Sequence, residues 1–495
     1  MPIFYSALLL TGVNLLLRLV GTSFQVYISS RIGAAGVGLL QLVMSVGSLA
    51  MVAGMAGVRT AAMYLTAEEL GRKRHENVTW VLSACFLYSI LCSGAVAGLL
   101  YGFAPQIAEG WIGDVRTIGA LRLFAAFLPV ICLCGVMTGY FTAANRIGTL
   151  AAVEVAEQLA SMAATVAALA LWAKDDAGRA CQSVILGSCV GACLTLGCLV
   201  ILRLREHSPS GTFIPMSRRL LEAAVPLALA DVLKSGINTT ENLMVPRRLA
   251  LNSRVAEPLA AFGMVSGMVF PVMMFPACIL YGLAELLIPE LARCAAAGSQ
   301  KRISYLVQRS LKVAMLYGIL FCGLMFLLSG DLCMALYKNE EAGHYLKLYA
   351  LLIPMLYCDA ITDAMTKGLG QQKICVRYNI LTSTMDVIFL YFLLPKYGMD
   401  GYFLSFLVTH LVNFILSLRR LLKITREHIP FYIPALTGAA AMGSIWGASR
   451  LSSPAAQSTA YLLILGSLLC LFRVTGREDI LWVKGLLKRQ STLSA

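Results

Sequence analysis

The feature that most constrains this chain is a succession of long apolar segments separated only by short polar loops. Breaking the sequence at its polar clusters gives fourteen of them, near 2–29, 36–66, 78–103, 117–141, 149–173, 180–202, 220–246, 258–291, 303–328, 345–367, 374–394, 400–422, 430–449 and 457–473. About 20 apolar residues let an α-helix cross the hydrocarbon core with every backbone group satisfied internally. Most of these segments exceed that length, and they lack the short alternating runs of barrel strands. No loop is long enough to fold as a soluble domain. The expected fold class is therefore an all-α integral membrane protein with 14 transmembrane helices. Composition agrees: 58% of the 495 residues are hydrophobic and only 13% are charged, against about 25% charged in soluble proteins.

The formal net charge of +14 raises the question of nucleic acid, and its placement answers it. Arg72-Lys73-Arg74, Arg146, Arg203, Arg205, Arg218, Arg219, Lys301-Arg302, Lys373, Arg377, Arg419-Arg420, Lys423 and Arg426 fall in alternate loops, with Arg247, Arg248 and Arg254 as exceptions. That is the positive-inside pattern, so the basic side is expected to be cytoplasmic, with both termini inside. The surplus reads as topology and contact with anionic membrane lipids, and no nucleic-acid partner is expected. The start, MPIFYSALLL, has no basic leader region and reads as a retained first helix. The tail 477–495 has the apolar and basic mixture of an amphipathic helix on the inner leaflet.

The fifteen cysteines lie mostly inside apolar runs, with no CxxC pair, and the five histidines are scattered. They read as small buried hydrophobes, and no metal and no cofactor are expected. No P-loop, HExxH or GxSxG stands in a supporting context, so the chain is not expected to be an enzyme.

An internal repeat organises the spans. LRLFAAFLP (121–129) returns as LKLYALLIP (346–354), an offset of 225, and at an offset of 220 Thr11, Asn14 and Arg18 overlie Asp231, Lys234 and Asn238. The chain thus reads as two pseudo-symmetric six-helix lobes, 1–202 and 220–424, joined by a cytoplasmic linker at 203–219 and followed by two additional transmembrane helices in 425–476. Six helices per lobe give parallel repeats, and cargo sites in such proteins lie at the repeat interface.

Polar groups inside these spans are the candidate functional residues. Thr11, Asn14, Arg18, Thr22, Gln25 and Ser29 recur at steps of three or four, which places them on one helical face, with Arg18 at mid-membrane depth. Span seven repeats the stripe with Asp231, Lys234, Asn238, Glu241 and Asn242. A charge in hydrocarbon is costly, so such faces line a wet cavity. The competing reading is a set of interhelical bonds that ties the bundle together. Arg59 in span two either faces the cavity or snorkels to the interface. Glu285 falls at the corresponding depth in span eight. Asp359, Asp363 and Lys367 share one face of span ten, as an ordinary i,i+4 pair or as a proton or cation site. Asp386 in span eleven poses the same question, and Glu154 and Glu157 in span five are expected to reach solvent. We take Asn14, Arg18, Gln25, Arg59, Lys234 and Asn238 as candidate cargo contacts, and Asp231, Glu241, Glu285, Asp359 and Asp363 as candidate ion-coupling groups. Gly94-x3-Gly98, Gly187-x3-Gly191 and Gly263-x3-Gly267 permit close helix packing, and Pro271 and Pro276 permit bending.

Two stretches carry a family resemblance. GYFTAANRIGTLAAVEVAEQLA (139–160), following LRLFAAFLP, resembles the signature of stage V sporulation protein B and its relatives, and RIGAAGVGLLQLVMSVGSLA (31–50) resembles the opening of span two in that family. These belong to the multidrug/oligosaccharidyl-lipid/polysaccharide (MOP) exporter superfamily, which includes lipid II flippases. The resemblance implies two six-helix lobes opening alternately to either side. It also implies a polyprenyl diphosphate-linked sugar as the cargo carried across the cytoplasmic membrane, and the protein is expected to be a monomer. Lipid II flippases use cavity arginines on their first, second and eighth helices; Arg18 and Arg59 match the first two, and Glu285 stands where span eight would offer the third. Lys234 is a candidate for the missing charge. Two other functions are weighed: a cation-coupled multidrug exporter, which needs an acidic cavity, and a membrane-embedded glycosyltransferase, which needs long outer loops that are absent here.

Overall fold

A helix satisfies the backbone of an intramembrane segment internally, and the described residues are almost entirely helical, with a non-helical connection at 250–257. The computed structural model describes residues 2–72, 74, 76–172, 176–205, 217–426, 432–451 and 453–472. The expected amphipathic tail at 477–495 and most of the expected linker at 203–219 lie outside the described residues, as do the side chains of Asn14 and Arg18.

Helix α1 (Pro2–Met55) holds the first apolar span and most of the second, kinked at Gly33, whose φ of 71° and ψ of 172° suit a residue without a Cβ. Ala56 and Gly57 then take positive φ and break the second span before α2 (Val58–Gly71). Helix α3 (Asn77–Gly102) is followed by the short α4 (Ala104–Gln106), which runs into a π-helical stretch at Ile107–Ile112. A 3₁₀ turn leads into α5 (Ile118–Ala143), and α6 (Ile147–Trp172), α7 (Ala177–Leu204) and α8 (Ser217–Leu249) follow. Span eight is segmented into α9 (Pro258–Met264), a π-helical stretch at Val265–Val269, α10 (Phe270–Met274) and α11 (Ala277–Ala296), with the break just before Ala277 at Pro276. Then come α12 (Gln300–Tyr337), α13 (Glu340–Ala350), α14 (Ile353–Gly368), α15 (Gln372–Tyr397), α16 (Met399–Thr425), α17 (Tyr432–Ala448) and α18 (Pro454–Leu471).

Among the described residues nine helices are long and apolar enough to cross a membrane, or eleven if each bent pair is one span. Three apolar spans of the sequence account for the difference from fourteen. Helix α1 holds two spans in one kinked element, α8 is rich in charge, and α17 has only 17 residues. The repeat is also unequal in shape. LRLFAAFLP lies inside the continuous α5 with Pro129 mid-helix, whereas LKLYALLIP breaks between α13 and α14, which meet at a 56° bend. Pro354 sits in the first turn of α14, where its missing N–H costs nothing.

Contacts group the chain into two units: Met1–Pro271 with Ile380–Thr409, and Val272–Asn379 with His410–Ala495. In the first unit Val58, Leu65, Val81, Val136, Phe141 and Leu199 form a buried core. In the second, α17 and α18 pack on α12 through Ile319, Ala440, Tyr461 and Leu465. These units partition contacts rather than repeats, and the two-lobe division stays a proposal. Residues 217–271 join the first unit because α8 and α9 dock on α1. A Cβ at Gly263 would lie 2.0 Å from the Ala34 carbonyl, and one at Gly267 would overlap Val37, so this Gly-x3-Gly pair allows backbones to touch. Gly187 and Gly191 serve the same purpose against α6, while Gly94 and Gly98 have nothing within 4 Å.

Candidate functional site

The polar stripe of α1 begins in helical backbone at Asn14 and Arg18 and continues through Gln25, which is half-buried. Its far end is a helix contact, since Ser29 is buried and its hydroxyl donates to the Gly267 carbonyl at 2.9 Å. The stripe of α8 divides similarly. Asp231, Lys234 and Asn238 are exposed, whereas Thr239 is buried and donates to the Ser45 carbonyl at 3.0 Å. Asn242 is half-buried and donates to the Ser45 hydroxyl at 2.9 Å. Ser29, Thr239 and Asn242 thus act as ties between helices, and the exposed residues of α8 remain candidates for a cavity face. An exposed carboxylate and ammonium three residues apart on an intramembrane helix belong beside water, not lipid.

Arg59 opens α2, exposed, directly after the break at Ala56 and Gly57. It lies within electrostatic reach of Glu154 on α6. Glu154 is half-buried, and the neighbouring Glu157 accepts a hydrogen bond from the Thr195 hydroxyl at 2.7 Å. Their expected access to solvent is thus only partial, because α6 turns both towards the interior of its own unit. The proximity of Arg59 and Glu154 was not legible in the sequence, since nothing local links the two positions.

The acidic candidates separate clearly. Asp363 pairs with Lys367 at 2.6 Å, the i,i+4 ion pair, and Asp359 accepts from the Asn413 side chain at 3.1 Å. Glu285 is exposed on α11. Glu241 is different: its carboxyl is hydrogen-bonded to that of Asp386 on α15. Asp386 is 5% exposed and accepts from the Ser405 hydroxyl and, at 3.2 Å, from the Thr409 hydroxyl, both on α16. Two neighbouring carboxyl groups in a buried setting favour a proton or a cation between them, because bare carboxylates repel. The Tyr402 ring is buried beside the same pair. All five residues belong to the first unit. Among the described residues no group of three His, Cys, Asp or Glu side chains assembles a metal site.

A multi-pass helical membrane protein with broken spans and charged mid-membrane faces is the transporter class to which this geometry belongs. Comparison with solved structures bears on the fold. The lipid II flippase MurJ in an inward closed conformation superposes with a TM-score of 0.73 at 13% identity, covering 94% of this chain and 98% of that one. An inward-facing multidrug resistance MATE family transporter of the MOP superfamily gives 0.65 at 13% identity, covering 85% and 100%. The fold is that of the MOP superfamily. More narrowly, the chain belongs to the polysaccharide biosynthesis protein family, whose pattern matches residues 4–257, and the MatE pattern matches residues 226–392. Stage V sporulation protein B of Bacillus subtilis is 22% identical over 411 residues, 80% of this chain and 78% of that relative. Sporulation protein YkvU of the same organism is 27% identical over 133 residues, 26% of this chain and 30% of that relative.

Proposed function

We propose that this protein is a flippase that carries a lipid-linked oligosaccharide or peptidoglycan precursor across the bacterial cytoplasmic membrane, with both termini cytoplasmic. The observation that carries this reading is the set of charges kept exposed on membrane helices of one unit: Arg59 on α2 and Asp231 and Lys234 on α8. A diphosphate brought to mid-membrane needs fixed cations to offset its lost hydration, and guanidinium groups offer bidentate bonds. Arg18, Arg59 and Lys234 are the cationic contacts, with Asn14, Gln25 and Asn238 as hydrogen-bonding neighbours for sugar hydroxyls. The family membership and the relation to stage V sporulation protein B support the same cargo class, in a cell-envelope or spore setting. The protein works as a monomer among anionic lipids and without nucleic acid.

The Glu241–Asp386 pair is the coupling site in this reading, where a proton or cation is taken up and released as the transporter cycles. Asp231, Glu285, Asp359 and Asp363 were expected to share that task. The partners of Asp359 and Asp363 favour a packing role for those two. The same acidic pair favours one alternative, a cation-coupled multidrug exporter of this superfamily.

Translocation of a polyprenyl diphosphate-linked sugar in proteoliposomes separates the two. Wild type is expected to move the lipid, with Arg18→Ala and Arg59→Ala each slower by roughly tenfold or more, the size of a lost charge-assisted bond. A wild type that moves no lipid-linked sugar yet exchanges protons for a cationic dye rejects the flippase reading.

A further inference from the structure

A cavity of about 290 Å³ opens between α3, α5 and α7, lined by Thr79, Ser83 and Arg203 among its polar residues and by Leu82, Phe86 and Val200 among its apolar ones. It lies at the end of α7 that carries Arg203 and, two residues on, Arg205. Arg203 is held ready. Its guanidinium stacks over the buried Tyr140 ring, 5.0 Å from the centroid, and donates to the Thr79 hydroxyl at 3.3 Å. Thr79 and Ser83 are one turn apart on α3, so both hydroxyls fall on the face that Phe86 continues. That face runs on towards the middle of the helix as Leu87 and Ile90, which are 61% and 49% exposed.

Polarity therefore changes along one line, from a fixed cation with two hydroxyls at the helix ends to an apolar track at membrane depth. A free anion would find its cation here but has no use for the track, and a neutral lipid has no use for the cation. We propose that this pocket binds an anionic glycerophospholipid. Its phosphate contacts Arg203, Thr79 and Ser83, and the first carbons of its chains lie on Leu82, Phe86 and Val200. At about 290 Å³ the cavity is at the small end of ligand sites, which run from about 300 Å³ upward. It accordingly takes the headgroup region while the chains remain in the bilayer along α3. Basic pockets between transmembrane helices are the setting in which such headgroups are recognised. The site goes beyond the flippase reading and does not depend on the cargo.

Native mass spectrometry of the full-length protein in detergent tests it, with phosphatidylglycerol, phosphatidylcholine and inorganic phosphate as separate probes. Phosphatidylglycerol is expected to be retained under activation that strips phosphatidylcholine, and excess phosphate is expected not to displace it. Arg203→Ala should weaken retention by roughly tenfold. Ser83→Phe, a substitution at an exposed position that fills the pocket and keeps the charge, should do the same. Arg179→Ala, which removes an exposed charge at the opposite end of α7, should leave retention unchanged. Equal retention of the two lipids would overturn the proposal, as would displacement by phosphate alone. Retention by Arg203→Ala and Ser83→Phe at the wild-type level would do so as well.

Discussion

Gly57 shows how a single residue sets the position of a candidate cargo contact. Its φ of 74° ends α1 and aims Arg59, and a Cβ there would lie 2.4 Å from the Ala224 carbonyl oxygen. Left-handed backbone costs other residues about 1–3 kcal/mol, and here the added clash is with backbone that cannot step aside. Gly57→Ala is therefore expected to lower the thermal unfolding temperature by several degrees, measured in detergent, and to slow translocation with it. An unchanged melting temperature would mean that the break at 56–57 is not needed for folding. Asp114 offers a second test at this scale, outside the membrane spans. The Arg116 side chain bonds its carboxylate through both Nε and a terminal nitrogen and holds it below the usual carboxylate range. A group depressed on folding stabilises the fold above its unfolded value of about 3.9, and that contribution is lost as pH falls through the folded value. Acidification from pH 5 to pH 3 should therefore lower the melting temperature of wild type more than that of Asp114→Asn. The difference will be small, because Arg116 is half exposed and its field is screened by solvent.

At the scale of elements, Tyr461 is the α18 side chain that both packs on α12 and hydrogen-bonds to it. The Tyr461 hydroxyl donates to the Ile319 carbonyl at 2.8 Å, and its ring fills the space that a side chain at Gly323 would need. Tyr461→Phe removes the bond alone, about 1 kcal/mol, while Tyr461→Ala opens a cavity worth about 3–5 kcal/mol. Thermal melts should rank them wild type, then Phe, then Ala; equal melting of Phe and Ala would assign the attachment to the hydrogen bond instead of the ring. Contacts of this kind mark the boundary of what sequence makes legible. Each apolar span declares itself, because crossing a bilayer is a demand on about twenty consecutive residues. The kink at Gly33, the break inside span two and the bend between α13 and α14 were not legible, because they depend on single dihedrals or on packing partners distant in the chain. The stripes on α1 and α8 were legible as periodic polarity. Which of their residues become helix contacts was not, since Ser29, Thr239 and Asn242 look no different in sequence from Gln25 and Asn238. The Glu241 and Asp386 contact needed three helices to come together, so either acid alone read as one intramembrane charge among several.

For the molecule as a whole, the proposed coupling of driving force to cargo would run through that contact. Glu241 belongs to α8, the helix that also presents Lys234 and Asn238, while Asp386 is tied to α16 through Ser405 and Thr409. A proton or cation shared by the two carboxyls would hold α8 to its neighbours, and losing it would set two negative groups against each other across the same contact. In this proposal, occupancy of the pair biases the position of the helix that carries Lys234 and Asn238, the candidate cargo contacts. A ligand moves such an equilibrium only by its difference in affinity for the two states. Glu241→Gln and Asp386→Asn each keep the size and hydrogen-bonding capacity of the side chain while removing the need for a shared proton or ion. Both are expected to fold, to bind lipid-linked cargo and to carry it down its own concentration gradient. Neither should respond to an imposed proton or sodium gradient, which should accelerate wild type. The measurement is cargo translocation in proteoliposomes under each gradient in turn. Variants as gradient-sensitive as wild type would place the coupling elsewhere, and loss of translocation under every condition would make the pair a structural tie. If coupling is lost while downhill transport persists, the pair couples the gradient to the cargo, and the sodium and proton arms then identify which ion it holds.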